Sequence, residues 1–301
     1  MRTANIALQS NSINIPLPLT VGAFCLLWSS AFSVAKLAVA DCPPLMALTA
    51  RFLLAGAFML GAAVICRVPL KLSRRDLTVF AALGIANQAA YLGLSYVGIR
   101  TVSSGLTALI ISANPVLTAV LAALFLNEPM TWRKASGLLL GIGGVAFVVE
   151  SRLAGGVEHS VGIAFTIAAL VSMASGTILF KKFAPVGGLW IGNGVQSLSA
   201  GLALLPFAFT FESVGDIVPN WRLLAAIVYL ALCVSVLAYV LWFHLLTVSG
   251  ATAASSYHFM MPPLGMLFGW VLLGEHIAPT DLVGIVPVAI GVYLVTRPSS
   301  R

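Results

Sequence analysis

The chain has 301 residues, of which 60% are hydrophobic and only 8% charged, and its mean hydropathy is +1.03. A soluble domain carries about 25% charged residues to keep its surface hydrated. Sixteen Lys and Arg with nine Asp and Glu therefore exclude a water-soluble globule and leave an integral membrane protein. The net charge of +7 is scattered over short loops, with no basic face and no nucleic-acid motif, so no nucleic-acid partner is expected.

A membrane span needs about 20 largely apolar residues. In chain order such runs fall at 17–39, 43–66, 77–98, 102–126, 134–150, 160–180, 187–211, 223–246, 250–273 and 279–296, and they predict an all-α protein of ten transmembrane helices. The joins at Ile99–Thr101 and Ser249–Gly250 are tight, and Pro262-Pro263 interrupts the ninth run. Ala38-Val39-Ala40 superficially resembles a signal-peptidase site, but Lys36 stands in what should be a neutral segment, so the first run reads as an uncleaved span. Cys25, Cys42, Cys66 and Cys233 are scattered without metal-ligand or disulfide spacing. They read as small apolar helix residues, and neither metal nor cofactor is expected.

Positive charge is distributed unevenly about these spans. Arg2, Arg67, Lys71, Arg74, Arg75, Arg133, Lys134, Lys181, Lys182, Arg297 and Arg301 fall on the side of both termini, and Lys36, Arg100, Arg152 and Arg222 on the other. The positive-inside rule then places both termini in the cytoplasm of a multi-pass protein of the cytoplasmic membrane. A repeat runs through the chain at an offset of 147 residues: Pro115 matches Pro262, Glu128 matches Glu275, Gly137 matches Gly284, and Gly144 matches Gly291. Two halves of five spans, 1–152 and 153–301, must enter the membrane inverted, because five is odd. Inverted repeats are a transporter device, with the solute site near the midplane between the halves.

Leu27-Trp28-Ser29-Ser30-Ala31-Phe32 with Lys36, then Pro43-Pro44 and Ala50-Arg51-Phe52, precede the paired Pro and Glu segments. In this ordered set, over residues 17–296, the chain resembles the EamA-type ten-helix members of the drug/metabolite transporter superfamily. It is most similar there to amino-acid exporters, including the YddG-like aromatic amino-acid exporters. The resemblance implies two inverted five-helix repeats, cytoplasmic termini, and export of amino acids or other metabolites.

Every Asp and Glu lies at or outside a span end, so no intramembrane carboxylate is placed for a proton relay. Passive or exchange-type movement follows, with His258 as the remaining titratable group. Polar stripes run along several spans: Asn87, Tyr91 and Ser95 with Gln88 on the third, and Ser104, Thr107, Ile111, Asn114 and Thr118 on the fourth beside Ser112. Ser235, Tyr239 and Trp242 share a face of the eighth, and Ser255, His258 and Pro262 one of the ninth beside Tyr257. Such groups point away from lipid and either join helices or line a wet cavity. The candidate substrate-binding set is Trp28, Asn87, Gln88, Tyr91, Ser112, Asn114, Tyr239, Trp242, Tyr257 and His258, an aromatic wall with amide and hydroxyl donors. Pro115 and Pro262 are candidate hinges, since each removes a backbone hydrogen bond near mid-span. Arg51, the lone cation well inside a span, reads either as an anion receptor or as a structural arginine that snorkels or pairs with helix-end carbonyls, and its presence across varied substrates in the resemblance favours the structural role.

The sequence thus points to a small-molecule transporter of amino acids, aromatic ones among them, or of similar neutral metabolites. It would work by alternating access, with the lipid bilayer and its solute as partners; the sequence leaves the oligomeric state open, a monomer among the options. Sugars, nucleotide-sugars and drugs are the alternative cargoes. An intramembrane enzyme would need a nucleophile–base pair or metal ligands at span depth, and no such pattern is present. A channel would predict a pore-lining oligomer, whereas two fused inverted halves can enclose their own site.

Overall fold

Hydrocarbon offers backbone N–H and C=O groups no partner, so a chain this apolar must close its hydrogen bonds within each segment, as helix. The computed structural model describes residues 16–68, 72–127, 130–156, 158–183, 188–242, 244–245, 248 and 257–296, and shows helices and no strand among them. Eight described helices are long and apolar enough to cross a membrane: α1 Leu17–Asp41, α2 Pro44–Ile65, α3 Arg74–Ile99, α4 Ser104–Phe125, α5 Trp132–Ala154, α6 Ser160–Phe183, α7 Leu189–Phe211 and α8 Trp221–Trp242. Two shorter apolar helices follow, α9 Met261–Leu273 and α10 Pro279–Thr296. Of the ninth expected span, 250–256 lie outside the described residues, as do Glu128 of the repeat and the terminal Arg2, Arg297 and Arg301.

Local chemistry sets the helix starts. Ser73, Ser103, Thr131 and Asn220 accept hydrogen bonds from the N–H groups of Asp76, Leu106, Lys134 and Leu223, satisfying donors that a first turn leaves open. Pro43 and Pro16 precede α2 and α1, each with a second proline inside the first turn, where a missing N–H is no loss.

The helices are irregular at matched places. Residues 84–90 of α3 and 229–238 of α8 are wound as π-helix. α4 breaks at Ala113 and restarts at Asn114, and a 3₁₀ turn at Tyr257–Met260 leads into α9. Pro115 therefore does not bend a continuous helix, as the sequence suggested, but sits in the first turn of a restarted one, and Pro262 sits in the first turn of α9, directly after the 3₁₀ turn. The backbone stays satisfied across the first break: Ala113 N–H reaches Ile110 O at 3.1 Å, and Val116 N–H reaches Ala113 O at 3.0 Å.

The most extensive packing joins α2 to α7 and α5 to α10, with α3 on α6, α1 on α8 and α4 on α9. Glycines allow the close approach. A Cβ on Gly291 of α10 would lie 2.5 Å from the carbonyl oxygen of Gly137 of α5, and one on Gly56 of α2 would lie 2.8 Å from Leu198 N of α7. Phe52, Leu48, Leu106, Leu109 and Ile110 are fully buried at the centre. The outer faces of α5 and α10 expose Leu139, Ile142, Val283 and Val286, apolar groups suited to lipid.

Candidate functional site

At the centre, α1, α2, α3 and α8 leave a cavity of about 40 Å³. Trp28 of α1, Arg51 of α2, Tyr91, Ser95 and Tyr96 of α3, and Tyr239 of α8 supply its polar and aromatic lining. A single water needs about 10–15 Å³ of such space, so the cavity has room for about three waters or a small headgroup, and a whole amino acid needs more. A larger groove of about 510 Å³ lies between α5 and α10, but its lining, from Leu139 to Pro287, is apolar throughout and open to the side. It is part of the lipid-facing surface and carries no chemistry.

Arg51 dominates the electrostatics of the cavity. The residue is 4% exposed, a burial that rules out snorkelling. The guanidinium donates through Nε to Ser235 Oγ of α8 at 3.0 Å and through Nη1 to the Tyr96 hydroxyl at 2.9 Å, and it lies 5.5 Å from the centre of the Phe52 ring. Among the described residues no carboxylate comes within ion-pair distance of it.

A second polar layer supports Ser235. Asn193 of α7 donates to the Ser235 carbonyl at 3.0 Å and accepts from Gln88 Nε2 at 3.2 Å. Gln88 and Asn193 are both buried, so this chain of amides fixes α3, α7 and α8 in register. An aromatic column runs from the cavity along α1 and α8: Tyr239 to Trp28 at 5.3 Å, Trp28 to Phe24 at 5.4 Å, and Phe24 to Trp242 at 5.5 Å between ring centres. Tyr257 packs on the same cluster.

The structure thus brings together Trp28, Tyr91 and Tyr239 on the cavity, with Gln88 in the layer behind and Trp242 and Tyr257 along the aromatic column. The other candidates lie elsewhere. Asn87 packs against Gly176 of α6. Ser112 donates to Leu109 O at 2.6 Å and Asn114 accepts from Thr118 at 3.3 Å, both within α4. His258 lies on the 3₁₀ turn, and its side chain is outside the described ones. Arg51 and Tyr96 were absent from the candidate set. Arg51 carried a signal, as the lone cation within a span; Tyr96, an aromatic one residue past the stripe, carried none.

The end of the bundle that holds Asp41 and Ser104 is fastened by charge. Glu275, in the loop between α9 and α10, accepts from Ser104 N–H and Ser104 Oγ at 2.8 Å each and from Gly105 N–H at 3.3 Å. Lys36 of α1 donates to Glu275 at 3.1 Å and to Val102 O at 2.8 Å. Burial acts to raise the Glu275 pKa, but the Ser104 donors and the Lys36 ammonium outweigh it and hold the carboxyl below the usual glutamate range. Nearby, Arg152 of α5 pairs with the fully buried Asp281 of α10 and approaches Glu158, which accepts from Ser103 N–H at 2.9 Å. Glu212 accepts from Leu45 and Met46 N–H at the start of α2. Three carboxylates thus satisfy helix starts at one end.

Comparison with known proteins accords with this architecture. An uncharacterized transporter of Archaeoglobus fulgidus is 27% identical over 271 residues, 90% of this chain and 95% of that one. An S-adenosylmethionine/S-adenosylhomocysteine transporter of Chlamydia muridarum is 27% identical and covers 100% of this chain and 96% of its own. A protein of solved crystal structure superimposes with a TM-score of 0.65 at 18% identity, over 92% of this chain and 94% of that one, which shows a shared fold. The model of the EamA-like transporter family matches twice, at residues 18–150 and 160–297. With nearly its whole length matched in this way, the chain belongs to the EamA-like transporter family, and it is a multi-pass membrane transporter.

Proposed function

We propose that the chain exports amino acids or amino-acid-derived metabolites, aromatic ones among them, across the cytoplasmic membrane by alternating access. The observation that carries this reading is the central cavity, where the rings of Trp28, Tyr91 and Tyr239 meet hydroxyl and guanidinium donors between four helices. Ring faces suit a flat apolar group and attract an ammonium by about 0.5–2 kcal/mol. The solutes in the name of the Chlamydia relative are themselves amino acids joined to a flat purine nucleoside. Among the residues described as lining the cavity there is no carboxylate, which favours facilitated or exchange movement over a carboxylate proton relay.

Two inverted five-helix repeats, 1–152 and 153–301, would supply the moving parts, with both termini cytoplasmic. The π-helical stretches of α3 and α8 lie at the 147-residue offset of the sequence repeat, as do the helix starts at Pro115 and Pro262, and this recurrence supports the reading. A cavity of about 40 Å³ must widen to admit a whole solute. The helix starts at the two prolines are where such a motion would turn.

The test is uptake into proteoliposomes of radiolabelled tryptophan, phenylalanine, threonine, S-adenosylmethionine and a sugar, with and without a pH gradient. Saturable movement of the amino-acid solutes without a gradient is expected. Movement of the sugar alone, or movement that requires the gradient, would overturn the reading.

A further inference from the structure

We infer that Arg51 is the docking group for a carboxylate carried by the transported solute, an inference that deepens the reading above and rests on it. A buried guanidinium needs a counter-charge, and removal from water without one is costly. Here the groups touching Arg51 are the neutral hydroxyls of Ser235 and Tyr96 and the ring of Phe52. The buried acids are engaged elsewhere: Asp281 and Glu158 with Arg152, and Asp76 with Ser73.

A guanidinium offers five N–H donors in a planar fork. Two are used, through Nε and Nη1, which fixes the plane against α3 and α8. Nη2 and the second Nη1 hydrogen have no described partner, and a paired set of N–H groups matches the two oxygens of a carboxylate. Arg51 lines the cavity, which has room for such a headgroup, together with Trp28, Tyr91, Ser95 and Tyr239. A solute that must neutralise Arg51 to enter also couples its own binding to α2, α3 and α8 at once. Neutral sugars would leave the charge unanswered, and amines would add to it.

Thermal stabilisation of the purified chain in micelles tests this, with tryptophan, indolepropionate, benzoate, tryptamine, tryptophanamide and sucrose as probes. The acids stabilise the wild type, and the amine, amide and sugar do not. Arg51→Lys keeps the charge but loses the fork and raises the half-saturating acid concentration about 10- to 100-fold. Arg51→Gln abolishes the response, and Tyr96→Phe, which frees the plane, weakens it less than Arg51→Lys. Should Arg51→Gln fail to fold, Arg51→Lys and Tyr96→Phe carry the test. Acid binding unchanged in Arg51→Lys, tryptophanamide binding as well as tryptophan, or no acid stabilising the wild type would each overturn the inference. Tryptophan bound through Arg51 yet not moved in proteoliposomes would defeat amino-acid transport and leave the docking role. Tryptophan moved equally well by wild type and Arg51→Lys would do the reverse.

Discussion

Replacing Glu275 with Ala should loosen the Asp41 end of the bundle by an amount that follows from its contacts. The carboxylate accepts two short hydrogen bonds from Ser104, one longer bond from Gly105, and an ion pair from Lys36. Hydrogen bonds to a charged group contribute about 1.5–3 kcal/mol each. The Lys36 pair, with 28% and 14% of its side chains exposed, is closer to a surface bridge and contributes less than about 1 kcal/mol. Because the Lys36–Glu275 pair is partly exposed, water can enter the space the carboxylate leaves, and we expect a net loss of about 2–4 kcal/mol, nearer the sum of one to two such bonds. The assay is equilibrium unfolding in mixed micelles, followed by helical circular dichroism across a pH series. Since the folded pKa lies below the ordinary value of 4.5, the stabilisation is present in full above that value. It is lost as pH falls through the folded pKa. The gap between wild type and Glu275→Ala should therefore be constant near neutrality and close in acid. A difference under about 1 kcal/mol at neutral pH, or a gap that widens in acid, would refute the assignment.

Three further outcomes follow from other contacts. Arg152→Gln leaves the fully buried Asp281 without its cation and should destabilise the fold by about 3–5 kcal/mol in the same unfolding assay. Gly291→Leu drives a side chain into the Gly137 backbone and should abolish folded protein in membranes, whereas Gly143→Leu, with open space around its Cβ position, should express normally on size-exclusion chromatography. Trp28→Ala and Tyr239→Ala remove the facing rings of the cavity and should raise KM for tryptophan in proteoliposomes more than KM for threonine.

The membrane class and most of the helices were legible because lipid imposes one simple demand, a run of apolar residues long enough to cross. The cavity aromatics were legible too, since Trp28, Tyr91 and Tyr239 are polar-tipped rings within apolar helices. The stripe Asn87–Tyr91–Ser95 was only partly right. A four-residue spacing assumes regular α-helix, but residues 84–90 are π-wound and advance more residues per turn. Tyr91 and Ser95 therefore face the cavity while Asn87 turns onto Gly176 of α6. Arg51 was visible as an oddity, but its role depends on which residues of α3 and α8 meet it, and no local pattern encodes that meeting. The carboxylates at the Asp41 end were read as lying at or outside span ends, with Glu275 also a landmark of the repeat. Their work as partners for helix starts on distant segments, such as Glu212 at the start of α2, appears only in three dimensions.

The most direct test of the central claim, that solute passes through the cavity between α1, α2, α3 and α8, is thiol labelling at Ser95. Ser95→Cys, in a background with Cys25, Cys42, Cys66 and Cys233 replaced by alanine, would be reconstituted and treated with a methanethiosulfonate reagent while tryptophan counterflow is followed. The account predicts that labelling blocks counterflow and that excess tryptophan slows the labelling. Full counterflow through a protein labelled at this position would contradict it.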